Sequence, residues 1–334
     1  MQKKIIVLAI AAALAAPAMA FADASVYGQV NLAIDVANTG TATNSVSNNK
    51  LSSYGSRLGF KGSESLGGDT SIVWNLESGV GVDDGTTASG QFFSRESNVG
   101  LSSASMGTVT AGRQASPYKA STRRLDMFGD TAAGKNGFLG GSHDDSASNA
   151  ISYKSPSLSG FTVIDATVFG AEPASSTDKK GSAIGLAAQY EQGPMYVMFA
   201  LDNKKQGSTG SGQLGGIADN EDNAYTFGGS YAMDAITVSA TFEQITKKSA
   251  GVDTKNNGFY LGGKFAISSS DAIKLAYAKR GATTGATNDG SRVTIGYDHG
   301  MSPNTSVYAL YNKDTNNGVA ADPSVLSIGL KHSF

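Results

Sequence analysis

The sequence predicts an all-β chain, a sixteen-stranded antiparallel transmembrane β-barrel. Three observations predict it. Apolar and polar residues alternate with period two from end to end. The links between alternating segments run short, long, short, long, as an up-and-down membrane barrel requires, with turns on one rim and loops on the other. Glycine supplies 42 of 334 residues, nearly double its ordinary share, while only 16% are charged, which disfavours helical bundles and coiled coils. Apolar residues and 28 aromatics are spread throughout, so the chain is not disordered.

The elements follow in order. Met1–Ala22 reads as a secretory signal, with Lys3 and Lys4 before an apolar run, Ile5–Ala16, too short for a permanent helical span. Cleavage after Ala20 or Ala22 fits the small-residue rule. Ala22 is preferred, which leaves a barrel domain over 23–334. Two lysines leave with the signal, so 24 basic residues face 28 acidic ones and the mature charge is −4. In 24–36, Val26, Val30, Leu32, Ile34 and Val36 share a face opposite Gln29, Asn31 and Asp35. In 70–78, Ile72, Trp74 and Leu76 oppose Ser71, Asn75 and Glu77. In 223–231, Tyr225, Phe227 and Tyr231 oppose Thr226 and Ser230. In 235–244, Ile236, Val238, Ala240 and Phe242 oppose Thr237, Thr241 and Glu243. The same alternation carries 258–268, 291–298 and 324–334. Weaker alternation marks 55–64, 92–102, 107–114, 148–154, 161–169, 182–192, 194–202, 271–280 and 305–312. Long polar links are expected at 37–54, 79–91, 115–147, 170–181, 203–222, 245–257, 281–290 and 313–323.

A soluble sandwich would turn the apolar faces inward; a membrane barrel turns them to lipid around a polar lumen. Charged residues on most polar faces, and aromatics near strand ends (Tyr27, Tyr153, Tyr190, Tyr231, Tyr297, Tyr311, Phe334), favour the barrel. The charge gives no basic surface for nucleic acid. The absence of Cys excludes thiolate chemistry, and scattered His143, His299 and His332 argue against a histidine metal centre. Gly129, Gly134 and Lys135 have P-loop spacing, but Asn136 replaces the required Ser or Thr and no helix follows. Asp219, Glu221 and Asp222 read as a solvated acidic loop rather than a divalent-ion site. No nucleophile motif accompanies the histidines, so neither enzyme activity nor a cofactor is expected.

Several segments resemble the general diffusion porins of Gram-negative outer membranes, most closely the β-proteobacterial trimeric type. These are Asp23-Ala24-Ser25-Val26-Tyr27-Gly28, Ser56-Arg57-Leu58-Gly59-Phe60-Lys61-Gly62 with Leu66-Gly67-Gly68, Val99-Gly100-Leu101, Gly107 to Gln114, Asn149 to Tyr153 with Ser155-Pro156, and the terminal Phe334. The resemblance implies a homotrimer in outer-membrane lipid and lipopolysaccharide, whose third long loop, here 115–147, folds inward to narrow the pore. It implies a constriction in which loop carboxylates face wall bases. Arg57, Arg95 and Arg113 match the bases, and Asp126 and Asp130 in Leu125–Thr131 the acids. Some relatives carry a further Arg where this chain has Ser146, beside Asp144 and Asp145. Arg123 and Arg124 are the candidate compensation for that lost wall cation. Arg113 shares the parity of Val109 and Ala111, so reaching the pore requires a bulge at Gly112 or an end of the strand there. Loop 79–91 occupies the place of the latch onto a neighbouring subunit, and Phe334 that of the signal read by the outer-membrane assembly machinery.

The expected function is a passive, water-filled channel for small hydrophilic solutes and ions, with a weak cation preference following from Ser146. The alternatives are a substrate-specific channel for sugars or an anion, or a secreted β-sandwich adhesin.

Overall fold

The structure, a computed structural model, describes residues 23–39, 46–87, 91–170, 181–206, 220–249, 251–285, 289–317 and 322–334. The signal segment Met1–Ala22 and Asp219 lie outside them. The strands are β1 (Asp23–Asn38), β2 (Ser47–Ser53), β3 (Arg57–Gly67), β4 (Thr70–Gly79), β5 (Glu96–Ser103), β6 (Gly107–Ala115), β7 (Ser146–Lys154), β8 (Phe161–Phe169) and β9 (Ser182–Gln192). They continue as β10 (Met195–Lys205), β11 (Glu221–Met233), β12 (Ile236–Ser249), β13 (Val252–Ala266), β14 (Asp271–Arg280), β15 (Gly290–Ser302), β16 (Thr305–Asn316) and β17 (Ser324–Ser333).

All pairings are antiparallel between chain neighbours, and β1 closes the sheet on β17 over Gln29–Asn38. Reciprocal backbone bonds between Gly28 and Phe334 finish the seam, 2.9 and 3.1 Å. The seventeen strands among the described residues make sixteen staves, because β2 and β3 both pair with β1 as two halves of one interrupted stave. All sixteen predicted strands are present. Sequence reading missed β2, whose Ser-Asn-Asn-Lys start carries no apolar alternation. The link expected at 245–257 is a continued β12–β13 ladder down to Ser249 and Val252. Beyond the bilayer both faces of a hairpin meet water, so pairing continues after the apolar pattern has ended.

The faces are inverted relative to a soluble protein. Ile34 is 59% exposed while Asn31 and Asp35 are fully buried, because their face points into the lumen. Exposed apolar side chains of every stave but β4, where Ile72, Trp74 and Leu76 are half-buried, form the lipid band: Leu101, Ile184, Leu261, Ile295 and Ile328 are examples. Tyr153, Tyr231, Tyr297, Tyr311 and Phe334 are exposed as girdle residues should be. Tyr27 is not one of them. It shares parity with Gln29, and its hydroxyl donates inward to Asn75 and Glu77 at 2.8 and 2.9 Å. The protein's apolar core lies inside the barrel, between loop 115–147 and the inner wall.

Candidate functional site: the inward loop and the facing wall

The loop leaves β6 through a short helix, α1 (Pro117–Thr122), with Pro117 in its first turn and Ser116 as N-cap, whose hydroxyl accepts from the Lys119 amide at 3.1 Å. At its root Ser116 Oγ donates to the His143 carbonyl, and buried His143 Nδ1 lies 2.7 Å from Asp202 Oδ2 on β10. The loop then docks on β9–β16, and on Ala33 of β1, in three apolar clusters. Tyr118 and Leu125 pack on Ala187, Tyr196, Met198 and Ala200; Phe128 on Ala33, Tyr308 and Leu310; Phe138 and Leu139 on Tyr260 and Ala278. Gly296 makes the second possible, because a Cβ there would stand 2.7 Å from the Phe128 ring.

Wall donors anchor the loop's carbonyls. Tyr196 reaches Ser121 O at 2.9 Å and Ser239 reaches Leu125 O at 2.7 Å. Lys274 reaches Met127 O and Arg292 reaches Gly134 O, both at 3.1 Å. Tyr118 donates to Glu243 Oε2 at 2.7 Å, and Gly140 N to Glu243 Oε1 at 2.9 Å.

Asp126 and Asp130 sit on the same turn and differ in role. Asp126 points into the loop. Its two oxygens accept from the Phe128 amide at 2.9 Å and the Lys135 amide at 2.6 Å. Burial raises its pKa above the ordinary carboxylate value, outweighing those bonds. Asp130 faces the opposite wall. Burial pushes its pKa upward, but the Arg57 hydrogen bond and charge prevail and hold it below the ordinary value. Arg57 donates to Asp130 Oδ2 at 2.9 Å, Gln29 donates to the same oxygen at 3.3 Å, and Asn31 Nδ2 donates to the Asp130 carbonyl at 2.5 Å.

The interruption between β2 and β3 makes this clasp. Gly55 has φ +61°, and a Cβ there would lie 2.3 Å from the Asp130 carboxyl. Ser56 Oγ donates to Asn31 O at 3.1 Å and accepts from Asn31 N at 2.9 Å, so the interrupted stave stays tied to β1. Arg95 Nε binds Glu77 Oε1 at 2.5 Å, and Glu77 Oε2 stands 3.9 Å from Arg57 Nε. Arg57, Arg95, Glu77 and Asp130 thus form one charge network across the narrowed lumen.

Arg113 does not join it. The irregularity against β6 gives the extra residue to β7, where Asn149 has φ 56° and Gly112 and Gln114 oppose Ala150 and Ala147. Uninterrupted β6 keeps Arg113 on the face of Val109 and Ala111. Its Nε reaches Ser94 O at 2.6 Å and a terminal nitrogen reaches Ser148 Oγ at 2.9 Å. Of the two loop arginines, Arg124 pairs with Glu191 and covers the Tyr196 ring at 4.4 Å, near the short-turn rim. Arg123 is exposed and forms no ion pair among the described residues.

Sequence reasoning passed over Lys119, whose Nζ stands 3.4 Å from Ser146 Oγ. Its position four residues past the end of β6, in a loop, gave no parity to read. It also passed over Gln29, Asn31, Glu77, Lys274 and Arg292 as site residues, although their inward parity was legible.

A closed barrel with an apolar exterior, a polar lumen and a charged loop folded across it defines an outer-membrane diffusion channel. The chain belongs to the Gram-negative porin family, whose profile matches residues 7–319. It is 31% identical over 362 residues to outer membrane porin protein 32 of Delftia acidovorans, with each chain covered in full. It is 26% identical over 369 residues to the major outer membrane protein P.IB of Neisseria sicca, again over both full lengths. Among solved structures, the anion-selective porin from Comamonas acidovorans superposes with a TM-score of 0.82 at 26% identity, covering 94% of this chain and all of the other. The protein is therefore a multi-pass outer-membrane channel for small solutes and ions. Its relatives are channels rather than enzymes.

Proposed function

We propose that the channel passes small hydrophilic solutes under a weak anion preference set by Arg57 and Arg95 on the wall and Lys119 and Arg123 on the loop. The observation that carries this is the orientation of Asp126, the carboxylate on which a cation preference would rest: both its oxygens are occupied by loop amides, inside the turn. Asp130 and Glu77 are likewise engaged by arginines, whereas Arg123 keeps its donors for the lumen. Lys119 supports the same sign. Its ammonium stands at Ser146, the position where the family resemblance puts a wall arginine in some relatives, so the loop supplies the cation that the wall lacks. Burial lowers the Lys119 pKa, and Asp144 and Asp145 act in the opposite direction. The likeness to a porin described as anion-selective points the same way. This reverses the weak cation preference expected from Ser146, Asp144 and Asp145 alone.

In this reading Met1–Ala22 is removed on export, the mature chain assembles as a homotrimer, and Phe334 serves the assembly machinery. A Vibrio cholerae relative in fold has been solved in a trimer form. Reversal potentials across a KCl gradient in planar bilayers test the selectivity. Potentials of anion sign, shrinking toward zero at high salt, are expected because screening shortens the reach of the wall charges. Cation-sign potentials would overturn the assignment.

A further inference from the structure

On the long-loop side of the constriction, a recess of about 220 Å³ opens between the loop tip, Phe138–Gly141, and the inner faces of β12, β13 and β14. This volume lies below the ~300–1,000 Å³ of drug-sized ligand sites, so it suits only a small molecule. Its lining is mixed in a particular way. Leu139 and Ile245 supply an apolar floor, and Phe138 an aromatic edge. Lys247 and Arg280 flank it from β12 and β14, with Asn256 between them on β13. Neither cation forms an ion pair among the described residues. Arg280 also reaches Asn316 Oδ1 at 3.4 Å, and Asp222 stands across from Lys247 in the β11–β12 ladder; two other neighbouring charges are already satisfied. Arg292 is held by Asp314 through two bonds of 2.7 and 2.8 Å. Glu243, buried at the base, accepts from Tyr118 and from Gly140 N. The Arg280 guanidinium lies 4.9 Å from the Phe138 ring centroid, which orients it at the rim of the recess.

We infer that this recess is a subsite for small organic carboxylates with an apolar body. The carboxylate would meet Arg280 and Lys247, and the hydrocarbon or ring would cover Leu139 and Ile245. A hydrated inorganic anion gains only the first contact, and an organic cation of the same shape meets two like charges. The inference deepens the proposed anion preference, since it places a second basic station beyond the constriction.

The test uses the full-length channel in planar bilayers, with benzoate added from the long-loop side and acetate and benzylammonium as controls. Benzoate is expected to reduce the chloride current saturably, with acetate at least about tenfold weaker and benzylammonium without effect. Arg280→Gln with Lys247→Gln should weaken the benzoate block by about tenfold or more, the usual worth of a charge-assisted hydrogen bond. Ile245→Asn should weaken benzoate while leaving the small acetate effect in place. Benzoate and acetate acting equally, or the double variant blocking like the native channel, would overturn the subsite. Reversal potentials from the same membranes report the ion preference separately. A cation-sign potential beside an intact benzoate block would sink the selectivity reading and leave the subsite standing.

Discussion

The two sides of the inward loop are held by different physics. Toward β9–β16 it is fastened by buried rings and by wall donors on its carbonyls; toward β1–β5 it is fastened by the clasp of Asp130 with Arg57, Gln29 and Asn31. Apolar burial is insensitive to salt and large per side chain. A partly solvated ion pair is smaller and screened. The docked side therefore decides where the loop stands, and under the proposed function the clasped side sets the field that a passing ion meets. The same division separates Asp126 from Asp130, four residues apart, one closing a turn and the other facing the pore.

The comparison can be broken most severely on the docked side. Phe128→Ala removes a fully enclosed ring and should cost about 3–5 kcal/mol of loop docking. Single-channel recordings should show larger, noisier conductance, and proteases should cut within 115–147. An unchanged, quiet conductance would mean that docking does not rest on this cluster.

Gly55→Ala attacks the other side through the backbone. A left-handed φ and a Cβ within 2.3 Å of the Asp130 carboxyl combine, for an expected penalty of about 1–3 kcal/mol. The reversal potential should shift while protease resistance of the loop persists, because the apolar clusters are untouched.

Charge changes sharpen the distinction further. Arg57→Ser should move the reversal potential toward cations and Asp130→Asn toward anions, both shifts shrinking at high salt. Asp126→Asn should leave selectivity nearly unchanged but loosen the turn by about 1–2 kcal/mol, since one amide acceptor is lost. A selectivity shift from Asp126→Asn as large as that from Asp130→Asn would show that both acids face the pore.

The smallest expected effect is acid dependence. Asp130, held below the ordinary value of 3.8, contributes its clasp fully above that value and loses it only as pH falls through its lower folded pKa. Asp126, raised above 3.8, protonates earlier, and that step favours the docked loop. Mild acid should therefore leave the constriction closed in, and stronger acid should release the clasp. Closure probability recorded against pH, native beside Asp130→Asn, separates the two, since the variant should lack the strongly acidic step.

Much of this was legible in the residues. Period-two alternation located the sixteen staves, the short-long rhythm of the links located the rims, and the family pattern singled out Arg57, Arg95 and Asp130, which share one charge network. Parity marked Asn31 and Asp35 as lumen residues, because a strand has only two faces and lipid accepts only one kind of side chain. What the residues could not express is where a loop turns. The directions of Asp126 and Asp130 depend on which amides close the turn after Leu125. Lys119 comes to Ser146 only because Ser116 and His143 pin the loop's root. Arg113 keeps its outer parity because the extra residue belongs to β7 rather than to Gly112. Local periodicity specifies strands because each residue's face follows from its neighbours along the chain. The constriction is made of contacts between residues as distant as Asn31 and Asp130, or Met127 and Lys274, and only closure of the barrel around the loop brings those together.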